Sequence, residues 1–161
     1  METIISVIGL ENIDMFTRVL AAMLLGMALG VERVFARKAA GMRTYTLVSM
    51  GAALYTVISF EVARQFAGIT VFDPLRVASQ IVVGLGFLGA GVIVFQGKRI
   101  SGLTTAAGIW ISGAIGVASG FALYSLAVFV TILSLFTFSV LWYVEQKIKK
   151  ISGVWHEESD I

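Results

Sequence analysis

The stretch VVGLGFLGAGVIVF, Val82 to Phe95, decides between two very different folds. Gly84, Gly86 and Gly89 form the G-x-G-x-x-G pattern of dinucleotide-binding loops. That pattern binds a pyrophosphate only between a strand and a helix, with an acidic residue about 20 positions further on. Here apolar residues surround the glycines, and Ile100 to Trp110 contains no Asp or Glu. The stretch is therefore interpreted as a glycine-rich membrane helix.

The composition of the whole chain favours the same interpretation. The 161 residues are 58% hydrophobic and 14% charged, and the mean hydropathy is +0.92, which is too apolar for an ordinary soluble domain. Basic residues occur in short clusters between apolar runs, so we expect them to set membrane orientation and not to bind nucleic acid. The chain has no cysteine, which excludes thiol chemistry. Its N-terminus carries Glu2 in place of a basic segment, so we expect no cleaved signal peptide.

Charge-poor runs predict five transmembrane helices, because about 20 apolar residues cross a hydrocarbon core ~30 Å thick. The fold class is therefore predicted to be all-α, a polytopic membrane protein with glycine-rich helix packing. Leu103 to Val144 contains no charged residue and is about twice the length of one span, so it is predicted to fold back near Ser119 and Gly120. Residues 1–144 form the predicted membrane domain, and residues 145–161 a short polar cytoplasmic tail. The predicted spans are 15–31, 44–60, 77–95, 103–119 and 121–144.

The charges between the spans predict how the chain is oriented. The first loop, Glu32 to Arg43, holds four basic residues, and lysines follow the last span. The segment before Arg18 contains Glu2, Glu11 and Asp14 and no basic residue. Because basic loops stay on the cytoplasmic side, this alternation places the N-terminus outside and the C-terminus in the cytoplasm.

Small residues recur along the predicted helices, where they let neighbouring backbones approach closely. Gly26 and Gly30 lie four positions apart in the first span, and Gly108 and Gly116 share a face of the fourth. Such faces predict close helix packing and, through one of them, a homodimer. The glycine density of the third span leaves a second interpretation open, a broken helix that lines a cavity. The residues predicted to pack helices are Gly26, Gly30, Gly84, Gly86, Gly89, Gly91, Gly108 and Gly116.

Asp73, Arg76 and Gln80 form a candidate polar cluster at the outer end of the third span. Asp73 precedes Pro74, which fits a helix N-cap followed by proline, so a structural and a functional role both stay open. Arg76 can pair with Asp73 or extend towards water. The amide of Gln80, inside the span, needs a partner in another helix or in water. Because Mg²⁺ prefers carboxylate and water oxygens, Asp73 is the best candidate for a metal ligand.

Glu32, Arg33 and Arg43 form a second candidate cluster, on the cytoplasmic side of the first two spans. One interpretation is an ion-pair network that fixes helix register. The other is a site for anionic lipid headgroups or for a partner protein.

The fourth predicted span begins with a polar motif. Thr104 and Thr105 are predicted to cap this helix after Gly102. Trp110 lies about two turns deeper, and its indole N–H needs an acceptor, so it is predicted to face protein.

Three ordered strings in this chain resemble the MgtC/SapB family of bacterial inner-membrane proteins. They are GVERVFARKAAGMRTYTLVSMGAAL (Gly30 to Leu54), DPLRVASQIVVGLGFLGAGVIV (Asp73 to Val94) and GLTTAAGIW (Gly102 to Trp110). The resemblance implies a multi-pass protein of the inner membrane with a role in magnesium homeostasis, acid tolerance and survival inside host cells. It also implies the ATP synthase or a magnesium-transporting ATPase as a membrane-protein partner. Longer members of the family carry a cytoplasmic domain where this sequence has Glu145 to Ile161.

Two classes of function follow. The first is a regulator or accessory of other membrane proteins in magnesium and ATP homeostasis, and the scarcity of ionisable residues in the spans favours it. The second is a small ion transporter or channel with a polar path near Asp73 and Gln80, continued by the hydroxyls of Ser49, Thr56 and Ser79. No cofactor and no enzymatic activity are expected, and Mg²⁺ enters only as a ligand or a transported ion. The predicted partners are the lipid bilayer, a second copy of the chain and another membrane protein.

Overall fold

The computed structural model describes residues 9–68, 73, 75–97 and 99–152. These residues form helices and one short β-hairpin. The helices are α1 (Leu10–Phe35), α2 (Met42–Gln65), α3 (Leu75–Gly91), α4 (Leu103–Gly120), α5 (Tyr124–Phe136), a π-helix (Thr137–Leu141) and α6 (Trp142–Ser152). The strands are β1 (Val94–Gln96) and β2 (Arg99–Ser101).

Within the described residues, four helical segments are long and apolar enough to cross a membrane. They are α1, α2, α4 and the continuous helix that runs from Tyr124 through the π-helix to Ile151. Helix α3 is apolar but has only 17 residues, which corresponds to about 26 Å. The prediction of an all-α, multi-span membrane fold is confirmed, whereas the count of five spans holds only approximately.

The hairpin is a difference from the sequence-based prediction. The predicted third span included residues 77–95, but α3 ends at Gly91. Strands β1 and β2 pair antiparallel, with Val94 opposite Ser101. The apolar residues after Gly91 therefore continue as a strand, which the hydropathy of the run alone does not distinguish from the end of a helix.

Two glycines make this hairpin possible. Gly97, in its turn, has φ +59°, and Gly102, just after β2, has φ +88°. A Cβ atom on Gly102 would lie 2.0 Å from the carbonyl oxygen of Val92. Residue 102 must therefore be glycine both for its backbone conformation and for this close approach.

The fourth predicted segment ends at the predicted turn near Ser119 and Gly120, whereas the helix of the fifth ends elsewhere. Helix α4 stops at Gly120, and a turn containing Ala122 at φ +59° leads into α5. The predicted fifth span ended at residue 144 and the polar tail began at 145, but α6 continues as a helix to Ser152. An ion pair between Lys149 and Glu145, one turn apart, stabilises this polar end of the helix.

Helices α1, α2 and α4 pack on one another and form the core of the bundle, while α3 packs mainly on α4 and α5 lies against α4 and α1. Small residues bring the three core helices together. A Cβ atom on Gly116 of α4 would lie 2.1 Å from the carbonyl oxygen of Ser49 in α2, and one on Gly26 of α1 would lie 2.7 Å from the Cβ of Ser49. The large apolar side chains on the outside of the bundle are exposed, as expected for a surface that faces lipid.

Candidate functional site

The most unusual buried residue is Arg33, at the end of α1. This end of the bundle carries Arg33, Arg37, Lys38 and Arg43 and is called the basic end below. Arg33 is only 2% exposed. Its guanidinium pairs with the carboxylate of Glu32 and lies 3.6 Å from the ring centroid of Phe138. Because a buried charge needs a counter-ion or another favourable contact, these two neighbours are what make the burial of Arg33 possible.

Tyr45 of α2 lies in the same buried cluster and joins it to α4. The side chain is fully buried, and its hydroxyl donates to the carbonyl of Thr105 at 3.4 Å. The hydroxyl of Ser112 donates to the carbonyl of Tyr45 at 2.8 Å. A Cβ atom on Gly108 would lie 2.1 Å from the Tyr45 hydroxyl and 3.0 Å from Phe138. Gly108 thus provides the space in which the two aromatic rings meet α4.

Phe138 reaches Arg33 from a π-helix. The segment Thr137–Leu141 interrupts the long C-terminal helix, and such wide turns occur frequently at functional sites. Sequence analysis did not identify Phe138, because nothing in a charge-free apolar run indicates a local change in helical winding. Tyr45 was also missed, although it lies one turn before Ser49 on the small and polar face of α2.

A polar pocket of about 400 Å³ opens beside this cluster. We call it the basic pocket. Its walls come from the end of α1 and the loop after it, the first turn of α4, the π-helix and α6. The lining residues with polar or aromatic chemistry include Arg33, Lys38, Thr104, Trp142, Glu145 and Lys149.

The predicted cytoplasmic cluster is only partly brought together. Glu32 and Arg33 form an ion pair, whereas Arg43 is exposed in the first turn of α2 and forms no ion pair within the described residues. The basic end therefore contains one buried pair and several exposed cations, and not a single network.

Two predictions for α4 are wrong. Thr104 and Thr105 do not cap the helix: the N-cap residue is Gly102, and no side chain makes a capping hydrogen bond. Thr105 is instead buried, and its carbonyl accepts a hydrogen bond from the hydroxyl of Tyr45. Trp110, predicted to face protein, is 44% exposed because it lies on the side of α4 away from the core helices.

The predicted outer cluster lies at the opposite end of the bundle. The N–H of Leu75 donates to Asp73 Oδ1 at 2.9 Å, which is the geometry of a helix N-cap. Arg76 and Gln80 line a largely apolar groove of about 770 Å³ between α2 and α3. Within the described residues neither side chain forms a hydrogen bond or ion pair, and no three His, Cys, Asp or Glu side chains lie together as metal ligands.

The same end contains a largely buried arginine, Arg18, that sequence analysis did not select. Arg18 of α1 donates to the carbonyl of Gly120, the last residue of α4, at 3.1 Å, and pairs with Asp14. Its guanidinium carbon also lies 5.5 Å from the ring centroid of Phe60. A cation at a helix C-terminus stabilises the unpaired carbonyls there, so Arg18 joins the outer ends of α1, α2 and α4.

The glycines predicted to pack helices divide into two groups. Gly26, Gly30, Gly108 and Gly116 lie where a Cβ atom would come within 3 Å of a neighbouring helix or side chain, and Gly89 lies at ordinary contact distance from Ala106. In contrast, a Cβ atom on Gly84, Gly86 or Gly91 would meet no atom of the described chain within 4 Å. These three glycines of α3 do not pack helices within one copy of the chain.

The chain is similar to one known protein family and to several curated proteins. The model of the MgtC family matches residues 19–147. The chain is 41% identical over 132 residues to "Protein MgtC" of Salmonella typhimurium (strain LT2), covering 82% of this chain and 54% of that protein. It is 40% identical over 127 residues to "Putative magnesium transporter YhiD" of Escherichia coli (strain K12), covering 76% and 57%.

An uncharacterized protein of Haemophilus influenzae is 39% identical over 129 residues, covering 78% of this chain and 54% of that protein. The chain thus spans little more than half the length of these curated relatives. No solved structure matches it.

Proposed function

The chain belongs to the MgtC family, and from this membership we propose that it serves magnesium homeostasis in the bacterial inner membrane as a regulator or accessory of another membrane protein. The name of the Escherichia coli relative refers to magnesium transport, which supports magnesium as the ion concerned. The partner class that follows from the family resemblance is the ATP synthase or a magnesium-transporting ATPase. The proposal assigns no catalytic step to the chain.

The observation that carries the regulatory role is the closed packing of α1, α2 and α4. Ser49 is fully buried between Gly26 and Gly116. Thr56 packs against Gly120, and its hydroxyl donates a hydrogen bond to the carbonyl oxygen of Ala52 in its own helix at 2.8 Å. These hydroxyls occupy contacts between helices, so they leave no room for a hydrated ion among the three core helices. This packing supports a protein that acts by contacting other proteins through its outer surfaces, and not by passing an ion between its core helices.

We propose that the basic end faces the cytoplasm. Arg37 and Lys38 lie in the loop between α1 and α2, and Arg33 and Arg43 lie in the adjoining helix ends; retention of basic segments on the cytoplasmic side supports this orientation. With the basic end inside, the N-terminus is outside and the C-terminus is cytoplasmic.

We propose in addition that the chain forms a homodimer through one face of α3. Gln80, Gly84, Phe87 and Gly91 recur at steps of three and four on this helix, and all four are exposed. A glutamine amide facing hydrocarbon lacks hydrogen-bond partners, which is unfavourable. A second copy would present the same amide, which both donates and accepts, and the open glycines would let the two backbones approach.

The groove between α2 and α3 favours a second candidate, ion transport. Arg76 and Gln80 are polar groups within this groove, and Asp73 lies at the start of the same helix. In this alternative Asp73 is the ligand at the mouth of the path. The mostly apolar lining of the groove makes it the weaker proposal, because a hydrated Mg²⁺ needs oxygen ligands along its path.

Magnesium flux into proteoliposomes separates the two candidates. Purified wild-type chain would be compared with empty vesicles and with the variants Asp73→Asn and Gln80→Leu, and the magnesium content of cells with and without the chain would be measured in low magnesium. A regulator changes the cellular content but adds no flux above empty vesicles. Flux that depends on the protein and falls in both variants would replace regulation with transport.

A further inference from the structure

The basic pocket brings together charged side chains that have no role in the proposed function. Its walls carry three cationic side chains, Arg33, Lys38 and Lys149, and one carboxylate, Glu145. Arg33 is paired with Glu32, and Lys149 with Glu145. Lys38 has no ion-pair partner within the described chain. The pocket therefore has an excess of positive charge.

The first turn of α4 adds to this positive potential. Thr104, in that turn, lines the pocket. Helix α4 has 18 residues, and no side chain caps its N-terminus. Uncapped N–H groups at the start of a helix carry a partial positive charge and are typical partners of phosphate oxygens.

The remaining walls set the size and the position of a ligand. Phe138 and Trp142 form an aromatic wall beside the cations, and tryptophan is the residue type enriched where hydrocarbon meets water. A volume of about 400 Å³ is sufficient for a phosphate group and part of the molecule that carries it.

We propose that the basic pocket binds a phosphate group. Lys38 and Lys149 are the exposed cations that would contact its oxygens, and Arg33 forms the buried floor. Two sources have this chemistry, the headgroup of an anionic lipid and free phosphate in the cytoplasm. The site does not depend on whether the chain regulates or transports, because none of its residues lines the groove between α2 and α3.

Calorimetry on the purified full chain in detergent tests the site with two probes. One is inorganic phosphate, and the other is dihexanoyl phosphatidic acid, a soluble lipid with an anionic headgroup. Saturable binding of inorganic phosphate assigns the site to free phosphate, whereas binding of the lipid alone assigns it to a headgroup. If neither probe binds saturably, the proposal is wrong.

Charge variants on α6 show whether binding takes place in this pocket. We expect Lys149→Gln to weaken binding of the active probe about fivefold and Glu145→Gln to tighten it by a similar factor, because it removes the one carboxylate. Lys147→Gln is the matched control: it removes the same charge from the same helix but lies outside the pocket lining. Equal weakening by Lys147→Gln and Lys149→Gln would overturn the assignment to this pocket.

Discussion

Arg33 and Arg43 lie on either side of the loop between α1 and α2, yet only Arg33 is buried. The sequence predicts that both lie near the ends of spans, but it does not predict which of them points into the bundle. Arg33 packs against Phe138, which follows it by more than a hundred positions and lies in the π-helix. Local patterns in the sequence do not predict a contact between two residues so far apart in the chain.

Arg33→Gln should destabilise the protein by about 2–4 kcal/mol, because it leaves the half-buried carboxylate of Glu32 without its counter-ion. Thermal unfolding in detergent measures this loss. Arg43→Gln is the control, and as an exposed change it should stay within about 0.5 kcal/mol of wild type.

The double variant Glu32→Gln/Arg33→Gln tests the cause of that loss. Removing both charges together should recover part of the stability lost in Arg33→Gln. If the double variant is less stable than the single variant, the ion pair is not the reason why Arg33 matters.

At the scale of helices and strands, long charge-free runs were sufficient to place α1, α2, α4 and α5, because crossing a membrane demands length and low charge. The same signal could not separate α3 from β1, since Val92 to Phe95 is as apolar as the helix before it. Spacing also predicted that Gly108 and Gly116 share a packed face. It could not show that Gly84 lies on the open side of α3, because that depends on which helix α3 packs against.

Gly116→Ala should destabilise the bundle by about 1–3 kcal/mol, since the added methyl group would collide with the backbone of Ser49 and push α2 and α4 apart. Gly84→Ala is the same substitution where the described chain leaves open space, and it should not lower the stability of the monomer. Thermal unfolding of both variants in a detergent that keeps the chain monomeric measures the difference. Equal losses would mean that the core helices are not packed as closely as these contacts require.

The chain has two surfaces with different chemistry, a basic end and an open face of α3. The absence of cysteine makes both accessible to experiments with single introduced thiols. Alternating charges in the sequence predict the orientation. The open face of α3 follows only from the structure, in which a Cβ atom on its glycines would meet no atom of the described chain.

Thiol labelling tests the orientation. Ser101→Cys, exposed at the basic end, should react with a membrane-impermeant maleimide only after the membrane is opened. Ala67→Cys, exposed just beyond the other end of α2, should react in intact cells. The reverse pattern would mean that the basic end faces outwards.

Oxidative cross-linking tests the homodimer. Gly84→Cys should form a disulfide-linked dimer in membranes, because both copies would place this residue at the interface. Leu24→Cys, on the exposed side of α1, should remain monomeric under the same conditions. If both variants cross-link to the same extent, random collision explains the result and α3 is not the interface.

Helix α3 is short for a helix that lies in a membrane, with 17 residues. With a length of about 26 Å, it does not reach across a hydrocarbon core of ~30 Å. Lipids beside α3 must therefore compress, at a cost that rises as their acyl chains lengthen. Helices α1 and α2, with 26 and 24 residues, are long enough to span the same core with some tilt. Helix α4, with 18 residues, is almost as short but is packed among the other helices, so we expect a change in bilayer thickness to act mainly on the exposed α3.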